Sequence, residues 1–211
     1  MHFFREIRSI LLIFILTIIF SCAPLNYIKE KMLDDHIVPD SIDEAPSSKL
    51  TITFDNDVEV NFGEELTPTQ VKNKPEVSWD ADHSKFYLLS MTDPDAPSRD
   101  DPKFREYNHW LVGNIPGDEI DSAAADVLHP FQSSGPPKGT GLHRYVFLVY
   151  EQKEKLNFKE PRGTEFSRAN RKNFSIRDFA KKYKLGNPVA GNYYQSQWDK
   201  YVEERNKKFS D

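Results

Sequence analysis

Two carboxylates, Asp93 and Asp95, sit in the proline-stiffened run Asp93-Pro94-Asp95-Ala96-Pro97-Ser98-Arg99. His109 follows at the head of the apolar run Trp110-Leu111-Val112. A second run, Gly135-Pro136-Pro137-Lys138-Gly139-Thr140-Gly141-Leu142-His143-Arg144-Tyr145, repeats the device: a Gly/Pro loop, a histidine, then apolar residues to Tyr150. Proline fixes φ and glycine permits close backbone approach, so a pocket framed by such loops is largely pre-formed. Tyr145 lies two residues past His143 and so shares its face of a strand. Imidazole N–H groups, a tyrosine hydroxyl and loop N–H groups are donors, and donors converging in a concave wall suit a compact anion such as phosphate or acetate. A carboxylate behind a histidine orients the ring and favours the imidazolium. Asp93, Asp95, His109, His143 and Tyr145 are therefore the candidate binding residues. Asp95 reads equally well as a turn former bonded to its own loop. Lys138 and Arg144 read as solvated or loop-bonding charges.

Other chemistries fit the pattern less well. A hydrolase needs a nucleophile beside a base, but Ser98 lies in the proline loop with no Gly-x-Ser-x-Gly elbow, and Ser133 and Ser134 lack an evident base by spacing. Two Asp and two His are suitable metal ligands, yet no close-spaced pair such as His-x-x-x-His fixes a geometry. The expectation is a binding site with no catalytic residue, no metal and no cofactor.

The elements that must position these residues are mostly strands. Leu50, Ile52 and Phe54 alternate with polar residues, as do Val58, Val60 and Phe62, and Asp55-Asn56-Asp57 between them predicts a hairpin. Phe86–Met91, Trp110–Val112 and Tyr145–Tyr150 are nearly continuous apolar runs, which predict central strands buried on both faces. A β core is expected over about residues 49–160. Ser175 can cap a helix over 175–184, with Asp178 three residues on and Phe174 and Phe179 as a hydrophobic staple. Ile176, Phe179, Ala180 and Tyr183 form its apolar face, and Gly186 and Pro188 end it. Tyr194, Trp198, Tyr201 and Val202 predict a second helix near 194–206.

The chain has 211 residues and a formal charge of −5, which suits one domain and lacks the broad basic footprint of nucleic-acid binding. Residues 1–23 differ from the rest: Arg5 and Arg8 precede the apolar run Ile10–Phe20, then Ser21-Cys22-Ala23, the pattern of a secretory signal. The run is short of the ~20 apolar residues that span a bilayer, which favours a cleaved signal over the alternative of an uncleaved anchor. The reading is a signal at 1–23, an extended segment at 24–48 and a domain at 49–206, secreted and without stable membrane insertion once the signal is removed. Initiation at Met32 would instead give a cytoplasmic product with the domain intact. Cys22 is the only cysteine, so no disulfide is expected in the mature chain.

The DPDAPSR and GPPKGTGLHRY runs, with Ile37-Val38-Pro39-Asp40, Leu66–Lys72 and Pro188-Val189-Ala190-Gly191, resemble the phosphatidylethanolamine-binding protein family, also called the Raf kinase inhibitor protein family. The resemblance spans roughly residues 36–202. It implies a mainly β fold: an antiparallel β-sandwich with Greek-key connections and C-terminal helices. It implies a small anion pocket made of Asp93, Pro97, His109, Gly135, Pro137, His143 and Tyr145, associated with phospholipid head groups, nucleotides and phosphorylated peptides. It also implies cis bonds at Ala96–Pro97 and Arg105–Glu106, and a monomer that inhibits a protease or regulates a kinase as an alternative role. This chain departs from the family pattern at Phe104, where many members have tyrosine, and at Asn206, which takes the place of a pocket-closing tyrosine on the last helix.

Overall fold

The computed structural model describes residues 27–209. The signal reading at 1–23, with Cys22, lies outside these residues. Nine strands follow one another as β1 (Ser48–Lys49), β2 (Thr51–Phe54), β3 (Val58–Glu59), β4 (Glu76–Ser78), β5 (Phe86–Asp93), β6 (Tyr107–Pro116), β7 (Asp126–His129), β8 (His143–Gln152) and β9 (Ala190–Ser196). Helix α1 (Ile176–Lys182) precedes β9, and α2 (Tyr201–Asn206) follows it. The large sheet has the order β1-β9-β8-β5-β6-β7, and the small one β3-β2-β4. The fold is mainly β, but the antiparallel expectation fails at one edge: β1 pairs in parallel with β9, Ser48 opposite Ala190.

The near-continuous apolar runs have the physical cause the sequence suggested. Strands β5, β6 and β8 are buried on both faces. Leu89, Met91, Val112, Phe147 and Val149 point into a core shared with Leu50, Ile52 and Phe54 of the small-sheet side. Leu88, Leu111, Val146 and Leu148 point the other way, into a second core with Ile176, Phe179 and Ala180 of α1. The expected hairpin forms, with Phe54 opposite Val58 around a 3₁₀ turn at Asp55–Asp57. In α1 the Ser175 hydroxyl accepts the Asp178 N–H at 3.1 Å, and the Phe174 and Phe179 rings lie 5.7 Å apart, so the cap and staple are both in place.

Three expectations need correction. The C-terminal helix is shorter than 194–206, because Tyr193 and Tyr194 belong to β9, paired with Val146 and Tyr145. Aromatic residues beside an open sheet edge gain a ladder of hydrogen bonds and two buried faces, which outweighs helical spacing. The β core therefore extends past residue 160. The described part of the segment 24–48 is not extended throughout: residues 27–34 are helical, and Ile37–Asp40 form an irregular helical turn around the cis Val38–Pro39 bond. Ile28, Met32, Ile37 and Ile42 fill the second core. A chain starting at Met32 would lack Ile28, one of the side chains of this core. Among the described residues, no helix is long and apolar enough to cross a membrane.

Candidate functional site

The site lies where β5, β6 and β8 end together. Asp93 closes β5 and pairs with Tyr107 at the start of β6, while His143 opens β8. His109 reaches the same side through a bulge. Met91 pairs with Trp110 and Thr92 with Asn108, which leaves His109 as an extra residue in β6. A bulge of this kind re-aims one side chain, and here it adds His109 to the face carrying Asp93 and Tyr145. The two loops close over these strand ends, with the Ala96–Pro97 and Arg105–Glu106 bonds both cis.

A cavity of about 260 Å³ results. Asp93, Pro97, His109, Gly135, Pro137, His143 and Tyr145 all line it. Asp95 does not. Its carboxylate is fully buried and accepts the Arg144 backbone N–H at 2.9 Å, Nε at 2.9 Å and Nη2 at 2.6 Å. Asp95 is thus a structural anchor, and Arg144 is a buried ion-pair partner rather than a solvated charge. These pairings hold the Asp95 carboxyl below the usual carboxylate range in spite of its burial.

Hydrogen-bond donation defines what each cavity group can offer. His109 Nδ1 lies 2.8 Å from the Gln132 carbonyl oxygen. A carbonyl only accepts, so Nδ1 carries the proton. Burial, then the charge of Arg205, push the His109 pKa well below its ordinary value, so the ring is neutral and Nε2 is a bare acceptor. The expectation of an imidazolium donor is corrected at this position. His143 Nδ1 is 2.8 Å from Asp93 Oδ2, and Nε2 is 2.9 Å from Thr140 Oγ1. The Thr140 hydroxyl also lies 2.8 Å from the Pro137 carbonyl oxygen, a second acceptor for its single proton. Both His143 nitrogens are therefore engaged with protein, and His143 acts as a brace between two loops. Burial raises the Asp93 pKa against the opposing hydrogen bond from His143.

The Tyr145 hydroxyl is buried and makes no well-formed hydrogen bond with the protein, its one polar neighbour of note being the Gly135 backbone N–H. Burial, then the nearby Asp93 charge, hold its pKa well above the ordinary value, so it stays an O–H donor. The cavity also contains cations that sequence reasoning missed: Arg168, Lys172 and Arg205. Arg205, from α2, is 5% exposed. Its Nε donates to Ser133 O at 2.9 Å and its Nη1 to Asn206 Oδ1 at 3.1 Å. No carboxylate pairs with it among the described residues, and burial lowers its pKa. Gly135 makes room for it: a Cβ there would lie 2.6 Å from Arg205 Nη1. The available signal was an arginine three residues after Val202, on the buried side of a short helix. Phe104 and Asn206, the two departures noted above, both line the cavity.

Comparison with known proteins agrees with this architecture. Residues 46–194 match the family model for phosphatidylethanolamine-binding protein. "Putative odorant-binding protein A5" of Drosophila melanogaster is 40% identical over 178 residues, covering 84% of this chain and 83% of that one. The solution structure of CG7054 is 48% identical with a TM-score of 0.69, covering 84% of this chain and 99% of that chain. A phosphatidylethanolamine-binding protein from Plasmodium vivax is 25% identical with a TM-score of 0.70, covering 81% and 97%. With both its sequence motifs and its strand-end cavity accounted for, the chain belongs to the phosphatidylethanolamine-binding protein family.

Proposed function

We propose that the protein is a non-catalytic binder of small phosphate-bearing anions, of the kind presented by a phospholipid head group such as phosphatidylethanolamine or by a phosphorylated peptide. The observation that carries this reading is Arg205: a buried guanidinium without a carboxylate, lining a cavity beside a tyrosine hydroxyl that makes no well-formed hydrogen bond. A buried cation left without a counter-charge is costly, and an entering anion relieves that cost. In this reading Arg205 and Tyr145 donate to phosphoryl oxygens, and His109 Nε2 accepts the P–OH of a monoanion. Asp93, His143 and Pro137 hold the loop in place through the Thr140 brace.

The same brace argues against catalysis. Thr140, His143 and Asp93 are spaced as nucleophile, base and orienting carboxylate, at 2.9 and 2.8 Å. A base needs a bare nitrogen toward the nucleophile. Here the Pro137 carbonyl, 2.8 Å from Thr140 Oγ1, competes with His143 for the hydroxyl proton and holds the hydroxyl as a loop contact.

Calorimetry with inorganic phosphate and O-phosphoethanolamine tests the reading. Arg205→Gln should weaken binding about 10- to 100-fold, the scale of a charge-assisted hydrogen bond, and Tyr145→Phe by roughly five-fold. Tyr145→Phe keeps the ring contacts with His109 and Tyr194, so the fold is expected to survive it. Affinity should fall as pH rises through the second phosphate ionisation near ~6, where the proton offered to His109 is lost. Equal affinity in all three proteins at every pH would refute the proposal.

A further inference from the structure

We propose a second ligand site, specific for an aromatic anion, in the neighbouring cavity walled by Phe131, Tyr201, Phe209, Lys72 and Lys208. This cavity is about 360 Å³, larger than the first, and shares only Arg205 with it. The partition between them is rigid. The Gln132 amide accepts the Tyr107 hydroxyl at 2.9 Å and donates to the carbonyls of Glu165 and Ser167 at 2.7 and 2.9 Å. Ser133 holds Arg205. A ligand in one cavity therefore need not enter the other, and this site does not depend on an anion occupying the first.

Two properties select the ligand class. The walls present aromatic rings held by their neighbours: Phe131 packs edge-on against Trp110 at 5.6 Å, and the Arg205 guanidinium lies 4.4 Å from the centre of Phe209. Fixed aromatic walls favour a flat ring that can stack or meet them edge to face. The charge is one-sided. Lys72, Lys74, Lys208 and Arg205 line the cavity against a single acid, Glu165. Lys74 is neutralised by Asp121 at 2.5 Å, but Lys72 and Lys208 pair with no carboxylate among the described residues. Two exposed ammonium groups beside aromatic walls match a ring of one or two cycles bearing a carboxylate or sulfonate.

The test uses naphthalene-2-sulfonate, whose charge is fixed across pH, followed by amide shifts in nitrogen-15 NMR with and without excess inorganic phosphate. Saturable shifts are expected at Phe131, Tyr201 and Lys208, with an affinity that phosphate changes less than three-fold. The double variant K72Q/K208Q should weaken binding at least five-fold, and exposed lysines can be replaced without loss of the fold. Methanesulfonate, which carries the charge without the ring, should bind at least ten-fold more weakly. Shifts centred on His143 and Tyr145, displacement by phosphate, equal binding of methanesulfonate, no effect of K72Q/K208Q, or absence of saturation would each overturn the proposal. Displacement by phosphate would leave the first cavity's reading standing, so the two proposals fail separately.

Discussion

Glu106→Gln should make the protein more stable at neutral and alkaline pH and leave it nearly unchanged in mild acid. Glu106 is 3% exposed and follows the cis Arg105–Glu106 bond. Its Oε2 accepts the Ile176 N–H at 2.8 Å, at the first turn of α1, and its Oε1 accepts the Thr92 hydroxyl at 3.3 Å. Desolvation outweighs the opposing pull of the Ser41 hydroxyl and of these two bonds and raises the carboxyl from its ordinary 4.5 to about 7. The folded state thus binds a proton that the unfolded chain releases near 4.5. Stability falls as pH rises through this window, and the full cost is present above pH 7. The gap corresponds to about 3 kcal/mol. Glutamine imitates the protonated acid: its oxygen can accept from Ile176 while its amide donates to Thr92. Urea unfolding followed by tryptophan fluorescence at pH 5, 6, 7 and 8 measures the difference between variant and wild type, in which every other titration cancels. The advantage of the variant should be small at pH 5 and approach ~3 kcal/mol at pH 8. A difference that does not change with pH would refute the reasoning, since it would mean that Glu106 is ionised throughout or that its hydrogen bonds outweigh its burial.

Four further outcomes follow from the geometry. Arg171 is fully buried and donates to the carbonyls of Ser167, Asn108, His109, Pro130 and Thr164, so Arg171→Lys, which cannot span this set, should cost about 3 kcal/mol in urea unfolding. Asp95→Asn weakens the buried pair with Arg144 while Asp40 remains at 2.7 Å, and should lower stability by roughly 3 kcal/mol without changing the cavity lining. Gly135→Ala places a methyl group against Arg205 and should weaken phosphate binding about ten-fold, on the scale of one charge-assisted hydrogen bond, read by calorimetry. A fluorophosphonate should not label Thr140, and mass spectrometry finding a Thr140 adduct would count against the brace.

Much of the site was readable because its residues lie in two contiguous loops. Proline and glycine at fixed offsets constrain a backbone locally, and seven cavity residues fall within DPDAPSR and GPPKGTGLHRY. The alternation on β2 and the cap of α1 are equally local. What escaped notice depends on distant partners. Asp95 is claimed by Arg144 forty-nine positions away, so its side chain turns from the cavity. His109, expected at the site and found there, owes its place to a register shift between β5 and β6 that its spacing does not show. Its protonation is set by the Gln132 carbonyl, which no spacing along the chain reveals. Tyr194 carries helix-compatible spacing with Trp198, Tyr201 and Val202, and joins a strand because β8 offers it an edge.

The charge of the cavity shows why net charge is a poor guide to this site. The chain as a whole is acidic, at −5. Three buried arginines nevertheless converge near the strand ends, and they differ in one respect. Arg144 is matched by Asp95 and Asp40, which raise its pKa in spite of burial. Arg171 has only carbonyl oxygens and Arg205 only carbonyl, hydroxyl and amide oxygens, and burial lowers both, Arg171 to about 10. Neutral acceptors satisfy the hydrogen bonds of a guanidinium but do not cancel its charge. In a low-dielectric wall that charge acts on whatever occupies the cavity and, as His109 records, on any group able to take a proton. The positive field therefore arises from withheld carboxylates more than from added bases. Installing one should abolish it: Asn206→Asp, beside Arg205, should suppress phosphate binding more strongly than Asn206→Ala, because it neutralises the guanidinium rather than only removing a contact.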